Sequence, residues 1–580
     1  MNTGRIILLA LLLQPSLHAG LKVARVDAMT RVSRLQAVVD QEKVIHAARG
    51  EWEAIQIVLT GAPAELKGMV LVASDLRGSG GTRIPKPEVF REHYVRVIKS
   101  TPMAPLPPGD YPDALVPQTF PWQNLPDQPQ VNQPWWVDVY VPYGTKSGSY
   151  AAEITLRNHL GAEVGRIGFE VRVLNFDLPQ VPRLKSSMMT AYRRMLEVHG
   201  LDPEKDPPDT AGVALVEAYY DLMTRHRLSY DQSRQTYPDP GSGKLNAVRV
   251  EAAMRHHLLR RRTGMIALPL WPTWPFGDSL GRDRVAAMRY CADWMKLLHK
   301  TGCGERGYII LAELDEPNSA DAYAFVRRWG DFFNEAEALH GVRLPLLVTE
   351  QPTPDSDWWG SLDGFVDIWS PHVGSVWEDM EAPAGRRDIA RRLQAGDEVW
   401  CYPALVQAPE AWLAARGNPE VLRESNPPVW CLDFPPMNHR VLAWVMPRLG
   451  ITGFTYWDTL HAAPGVDVWQ TSDTFHTTNS DDVFHGDGSF VYPATKKRHG
   501  RDMPVASMRL KWLREMAEDY DYLMLARDLG LQRAALQQAA TFARGIGDWV
   551  DNVPALYDAR RTVASLIVHA RAAKMKGGVR

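Results

Sequence analysis

Two neighbouring acids, Asp315 and Glu316, follow the apolar run Tyr308–Leu314 and precede Pro317. The run reads as a buried β-strand. Side chains on a strand alternate between faces, so adjacent carboxylates there are expected to diverge. The proline pushes Glu316 away from helix and toward extended backbone. An acid pair stopped in this way reads as placed for chemistry, and the plainer alternative is a solvated turn. Catalytic groups of parallel α/β barrels sit at the C-terminal ends of strands. Paired carboxylates are the usual equipment for breaking glycosidic bonds.

Other expected strand ends carry polar and aromatic groups. Tyr192 follows the first, and Trp271 and Trp274 follow the third. Thr349, Glu350 and Gln351 close the fifth, and Trp369, Ser370 and His372 close the sixth. Trp400 and Tyr402 lie on the seventh, and Tyr456, Trp457 and Asp458 close the eighth. Singly, such residues are most often structural. Together they would ring one mouth with stacking faces and fixed hydrogen bonds, which is what a sugar site needs. Most of the 20 tryptophans are expected in cores, with a handful left for sugar.

Other chemistries lack their residues. There is no G-x-S-x-G, no Walker loop and no dinucleotide fingerprint. Cys291, Cys303, Cys401 and Cys431 form no CxxC or Cys/His set, so no metal site and no cofactor are expected. Calcium loops are absent, though Asp481, Asp482 and Asp487 could hold a cation by chance. Cys401 and Cys431 both lie in strand-like runs, and a bridge and two buried thiols are equally compatible with that.

The elements that must position these residues fall into two patterns. Residues 20–180 read as an all-β domain. Ile55, Ile57 and Leu59 alternate with polar neighbours, as do Val137, Val139 and Val141, then Ala152, Ile154 and Leu156, then Ile167, Phe169, Val171 and Val173. Short alternating strands with turn signals predict a β-sandwich. The Pro-rich stretch Met103–Pro129 is expected to be a long ordered loop.

Beyond about residue 180, strand-like runs alternate with helical stretches, the signature of βα units. Runs at Ser186–Tyr192, Leu228–Tyr230, Met265–Leu270, Tyr308–Leu314, Leu344–Thr349, Val366–Ser370, Val399–Pro403 and Gly453–Trp457 number eight, as in a (β/α)8 TIM barrel. Val429–Phe434 competes for a place. Helices are expected at Thr210–Arg227, Arg282–Lys300, Ala320–His340 and His439–Leu449. The last barrel helix is expected to open at Pro504. The expected class is therefore multidomain α/β plus all-β. It comprises a signal peptide (1–19), a β-sandwich (20–180), a catalytic barrel (181–528) and a C-terminal helical extension (529–580).

The length of 580 residues exceeds one compact domain. A net charge of −3 gives no electrostatic reason to bind nucleic acid or an anionic membrane. Arg5, the apolar Ile6–Leu13 and a possible cleavage after Ala19 read as a signal peptide, too short to span a bilayer. The mature chain is expected to be exported, periplasmic or secreted, without a membrane anchor.

With these residues in hand, the chain resembles glycoside hydrolase family 123 and its wider relatives. The matching pieces run in order over nearly the whole mature chain. They are GEWEAIQIVL (Gly50–Leu59), YPDALVP (Tyr111–Pro117), QPWWVDVYVP (Gln133–Pro142), LDEP (Leu314–Pro317), GFTYW (Gly453–Trp457), GDGSFVYP (Gly486–Pro493) and RLKWLREMAEDYDYLM (Arg509–Met524). Ala494 and Met516–Ala517 depart from the usual pattern, and neither touches the acid pair. The resemblance implies a β-sandwich followed by a (β/α)8 barrel, independently of the pattern above. It also implies retaining hydrolysis of terminal β-linked N-acetylgalactosamine, or a related N-acetylhexosamine, by substrate-assisted catalysis through an oxazolinium. Glu316 would then be the general acid/base, and Asp315 would orient the acetamido N–H. The implied partner is a glycan or glycoconjugate.

That division suits sequence neighbours. Ordinary retaining enzymes place nucleophile and acid on opposite sides of the bond, about 5 Å apart. When the sugar's own acetamido oxygen attacks, the protein needs one acid and one carboxylate to hold the amide. Two alternatives stay open at this point. One is a glycosidase acting on a non-acetamido sugar, with Glu350, Asp458 or another distant acid as nucleophile. The other is a non-catalytic glycan-binding protein.

Overall fold

The computed structural model describes residues 20–205, 210–352, 359–406, 428–477 and 481–577. The expected signal peptide, residues 1–19, lies outside the described residues. Backbone proximity divides the chain into two compact units. One comprises Met1–His93 and Leu115–Asp177, and the other Tyr94–Ala114 and Leu178–Arg580.

The first pattern is β. A five-stranded sheet runs in the order Lys22–Asp27, Glu51–Gly61, Val131–Val141, Glu88–Val97, Gly109–Pro117. A second, six-stranded sheet centres on the antiparallel pair Gly148–Arg157 and Glu163–Asp177. Period-two alternation decides which side chains are buried. Along Gly148–Arg157, Tyr150, Ala152, Ile154 and Leu156 are buried while their neighbours are not. These residues share one apolar cluster with Ile55, Ile57, Leu59, Val137 and Val139 of the other sheet. The stretch Met103–Pro129 is not wholly a loop, because Gly109–Pro117 is a strand within it. It lies at the end of the sheet order, where Pro112 need not donate to a ladder.

The second pattern is parallel. Lys185–Met188 pairs with Gly453–Tyr456. Ile266–Ala267, Gly307–Ile310, Leu346–Val348, Ile368–Trp369 and Glu398–Val399 form a five-stranded parallel sheet in chain order. Backbone bonds also link these two sheets, at one edge through Ser229 and Asp231 and at the other directly. Met188 N–H donates to Ser229 O (2.8 Å), Ala267 N–H to Asp231 O (2.7 Å), and Thr452 N–H to Val399 O (2.9 Å). The expected second strand, Leu228–Tyr230, is reduced to one bridge at Tyr230. Val429–Phe434 forms no strand.

Parallel strands buried on both faces alternate between two apolar environments. Met265, Ala267, Tyr308, Leu347, Ile368 and Trp400 meet in one cluster. Their neighbours Ile266, Ile309, Leu346, Val348 and Trp369 face the helices Arg284–Lys300 and Ala320–His340. Ser319 caps the second of these helices and Gly341, at φ 66°, ends it. The run Tyr308–Leu314 does not stay extended. Its strand stops at Ile310, and Ala312–Leu314 closes a 3-10 turn in which Asp315 N–H donates to Ala312 O (3.2 Å). The turn returns Leu314 to the core and leaves Glu313 in solvent.

Helix Met508–Asp528 begins at the cap Ser507, whose Oγ accepts from Leu510 N–H (3.0 Å). Pro504 lies instead in the strand Met503–Ala506, paired with Val491–Ala494. Helices Gln532–Ala539 and Val553–Gly577 follow. All four cysteines are buried free thiols.

From Met508 to Ala526 the helix is buried on every side, charges included, and only Arg527 and Asp528 at its end are exposed. Asp519 accepts from Arg440 Nε (2.6 Å) and Nη2 (3.0 Å) and from Trp444 Nε1 (2.9 Å), and pairs with Arg560 (2.8 Å). Removing one partner of a buried ion network strands the others in low dielectric. Asp519→Ala is therefore expected to lower stability by roughly 3–5 kcal/mol, read from urea unfolding curves.

Candidate active site

The parallel strands end on one set of polar residues. After the 3-10 turn, Asp315 is extended and Glu316 takes a positive φ of 44°. A non-glycine residue there is uncommon and costs on the order of 1–3 kcal/mol. The conformation answers the divergence expected of neighbours on a strand. Glu316 N–H donates to Thr349 Oγ1 (2.7 Å), and Thr349 Oγ1 donates to Asp315 Oδ1 (2.7 Å). Thr349 follows the next strand, Leu346–Val348. Both carboxylates remain open to solvent. Crowding around Asp315 nevertheless pushes its carboxyl up. The Thr349 hydrogen bond opposes this, and the charge of Glu316 adds to it.

Tyr402 donates its hydroxyl to Glu316 Oε1. Burial, with this carboxylate beside it, raises the phenol further above its usual range. His372 stands edge-on to the Tyr402 ring, centroids 4.9 Å apart. Its Nε2 lies 2.7 Å from Ala404 O and its Nδ1 accepts from Ser375 N–H (3.1 Å). Burial lowers its pKa and favours the neutral imidazole. His372 thus supports Tyr402 and caps helix Val373–Glu381.

Glu350 lies near enough to Tyr402 for its charge to help raise that phenol. Its Oε2 accepts from Tyr323 (3.1 Å) and its Oε1 from Gln351 N–H (2.7 Å). Trp369 and Trp400 are not brought to the mouth. Trp369 packs in the helix-facing core with Arg392 over its ring at 3.8 Å, and its Nε1 donates to Asp397 (3.1 Å). Trp400 fills the inner cluster against Tyr308 and donates to Glu398 (3.0 Å). Alternation on short strands sends these two indoles to the interior. Trp271 and Trp274 pair through their own backbones and pack with Tyr237 as an aromatic group. Tyr192 opens helix Tyr192–Glu197 under the Arg234 guanidinium, 5.0 Å from its centroid.

Tyr456 and Trp457 converge on a residue that sequence reading noted only as a chance cation ligand. Asp487 accepts from Tyr456 OH (3.0 Å), Trp457 Nε1 (3.0 Å) and Leu405 N–H (3.0 Å). Burial raises its pKa and these three donors oppose the shift. An acid between two glycines, Gly486 and Gly488, was the available signal. Arg509 fixes that loop by donating to Gly486 O (2.6 Å) and Ser489 O (2.6 Å). Gly486 has φ +74°, and a Cβ there would sit 2.5 Å from the Arg509 guanidinium.

Two further groups were missed. Arg194 pairs with Asp458, whose Oδ1 also accepts from Thr459 N–H (2.7 Å) and Leu460 N–H (2.9 Å). Asp231, beyond the weak second strand, is pushed up to about 6 by burial, and the charge of Asp458 adds to the shift. Among the described residues no group of three or more His, Cys, Asp or Glu is placed to hold a metal ion.

No family model matches the sequence, and no curated protein matches it. A solved structure does. It is a family 123 glycoside hydrolase from Clostridium perfringens, described for glycolipid glycan hydrolysis. The TM-score is 0.63 at 13% identity, over 95% of this chain and 99% of that one. This chain has the fold of a glycoside hydrolase. It is a mixed α/β protein of many sheets and helices, and among the described residues no helix is long and apolar enough to cross a membrane.

The shift of Asp231 has a sign. A carboxyl raised from 3.8 to about 6 favours the protonated fold. Its contribution is full below the unfolded value and is lost as pH rises through the folded one. Asp231→Asn, which cannot ionise, is therefore expected to gain stability relative to the unsubstituted protein between pH 4 and pH 7. Thermal midpoints at the two pH values measure the gain, and a constant offset would contradict the shift.

Proposed function

We propose that this chain is a retaining glycoside hydrolase of the family 123 type, acting on terminal β-linked N-acetylgalactosamine or a related N-acetylhexosamine. The observation that carries this reading is the bridging of Asp315 and Glu316 by one threonine hydroxyl. The hydroxyl ties the Asp315 carboxylate to the backbone of Glu316, which supports reading Asp315 as a neighbour of the acid and not as a nucleophile across the substrate from it. Such a pair suits attack by the sugar's own acetamido oxygen.

In the first step Glu316 gives its proton to the glycosidic oxygen as the acetamido oxygen bonds to C1. The bond from C1 to the aglycone breaks and the aglycone leaves as an alcohol. Asp315 accepts from the acetamido N–H and balances the positive charge of the oxazolinium. Water then attacks C1, Glu316 takes its proton, and the ring opens with configuration retained. Glu350 and Asp458, the alternative nucleophiles, have both oxygens engaged by protein donors, which disfavours a non-acetamido mechanism.

The edge-joining backbone bonds support reading the eight strand positions as the ring of a (β/α)8 barrel. The shared cluster of the two antiparallel sheets supports a β-sandwich. The proposed layout is the sandwich at 20–180, the catalytic barrel at 181–528 and helices beyond. Export is proposed on the N-terminal sequence alone. The substrate is proposed to be a glycan or glycoconjugate, including the glycolipid glycans named for the structural neighbour.

The test is turnover of aryl β-glycosides of N-acetylgalactosamine, N-acetylglucosamine, galactose and glucose. Release confined to the N-acetyl sugars is expected. Asp315→Asn and Glu316→Gln are each expected to lose about 100-fold or more in kcat/KM, in line with lost acid–base and charge stabilisation. Cleavage of a sugar without the acetamido group would overturn the mechanism. Binding without turnover, unchanged in Glu316→Gln, would leave a glycan-binding protein.

A further inference from the structure

We infer that Thr349 is a positioning residue for both acids of the pair, a role that rests on the function proposed above. A hydroxyl has one proton. The Glu316 N–H can only donate, so it occupies an Oγ1 lone pair at 2.7 Å. The single proton of Thr349 is then directed at Asp315 Oδ1, also at 2.7 Å. With Asp315 ionised, no other assignment satisfies both bonds. One atom therefore holds the backbone of Glu316 at its positive φ and fixes the rotation of the Asp315 carboxylate.

Three consequences follow for the reaction. Oδ1 of Asp315 is engaged, which leaves Oδ2 to accept an amide N–H. The hydroxyl donates to the ionised form of Asp315 and so opposes the upward push of burial, favouring the charged carboxylate. The turned backbone of Glu316 keeps its side chain beside Asp315, where its Oε1 meets Tyr402. The strand Leu346–Val348 thus contributes no group to the chemistry itself and sets the geometry of the acids on its neighbour.

The experiment compares Thr349→Val, which keeps the shape and removes the hydroxyl, with Thr349→Ser, which keeps the hydroxyl. On the N-acetyl glycoside that the unsubstituted protein cleaves, Thr349→Val is expected to lower kcat about 10- to 100-fold with KM little changed, as for a misplaced catalytic group. Its acid limb in kcat/KM is expected to move to higher pH, because Asp315 loses the donor that keeps it ionised. Thr349→Ser is expected to restore both. An unmoved acid limb, or serine no better than valine, would overturn the inference while leaving the glycosidase reading intact. Absence of N-acetyl glycoside cleavage by the unsubstituted protein would defeat the glycosidase reading instead. The bridge is then judged by unfolding alone, in a double-mutant cycle of Thr349→Val with Asp315→Ala. Coupling of about threefold or more in the folding constant supports the bridge, and additivity refutes it.

Discussion

Strands buried on both faces cannot carry charge along their length. Ile309 and Leu346 face the helix layer, and Tyr308 and Leu347 face the inner cluster. Any ionised group on them would lose its hydration without a partner. Charge is therefore confined to strand ends, and the two ends do different work. At the entry end Lys185 and Glu398 form an ion pair that also receives Trp400 Nε1 and Thr452 Oγ1, a closed set of partners. At the exit end Asp315 and Glu316 remain accessible to a substrate, and the buried Tyr402 stands behind Glu316. The site is where the fold tolerates it.

The same constraint explains what could be read from the sequence. Apolar runs located the parallel strands, and the adjacent acids before Pro317 located the pair. Helix Ala320–His340 was legible to the residue because Ser319 and Gly341 mark its ends. Strand lengths were not legible, since Leu311–Leu314 is apolar enough for a strand yet closes a turn. Trp369 and Trp400 were misplaced because one residue of register decides whether an indole faces inside or out. Asp487, Arg194 and Asp231 were missed because their partners come from distant segments. Thr349 was visible only as a polar strand end, because a bridge between strands leaves no mark in either one alone.

Burial of a charged helix is the other organising feature. Arg509 is fully enclosed, bonded to Asp113, Gly486 O and Ser489 O, and Asp113 in turn receives Tyr492. Through that guanidinium the helix sets the loop that carries Asp487, and through Asp487 it sets Tyr456 and Trp457. An apolar helix would pack as well and could not aim a loop. Here a chain of hydrogen-bonded polar groups transmits order from the core to the surface.

The turned backbone at Glu316 bears on how the protein would evolve under artificial selection. Glutamate is a poor residue for a φ of 44°, whereas asparagine and glycine accept it readily. Either replacement relieves strain of order 1 kcal/mol or more while deleting the acid. A library screened for thermal tolerance or yield alone will thus be drawn to position 316 and, under the proposed mechanism, will enrich inactive clones. Glu316→Gln keeps the strain and is the fair comparison for activity. Glycine or asparagine at that position reports a relaxed backbone and a missing carboxyl together.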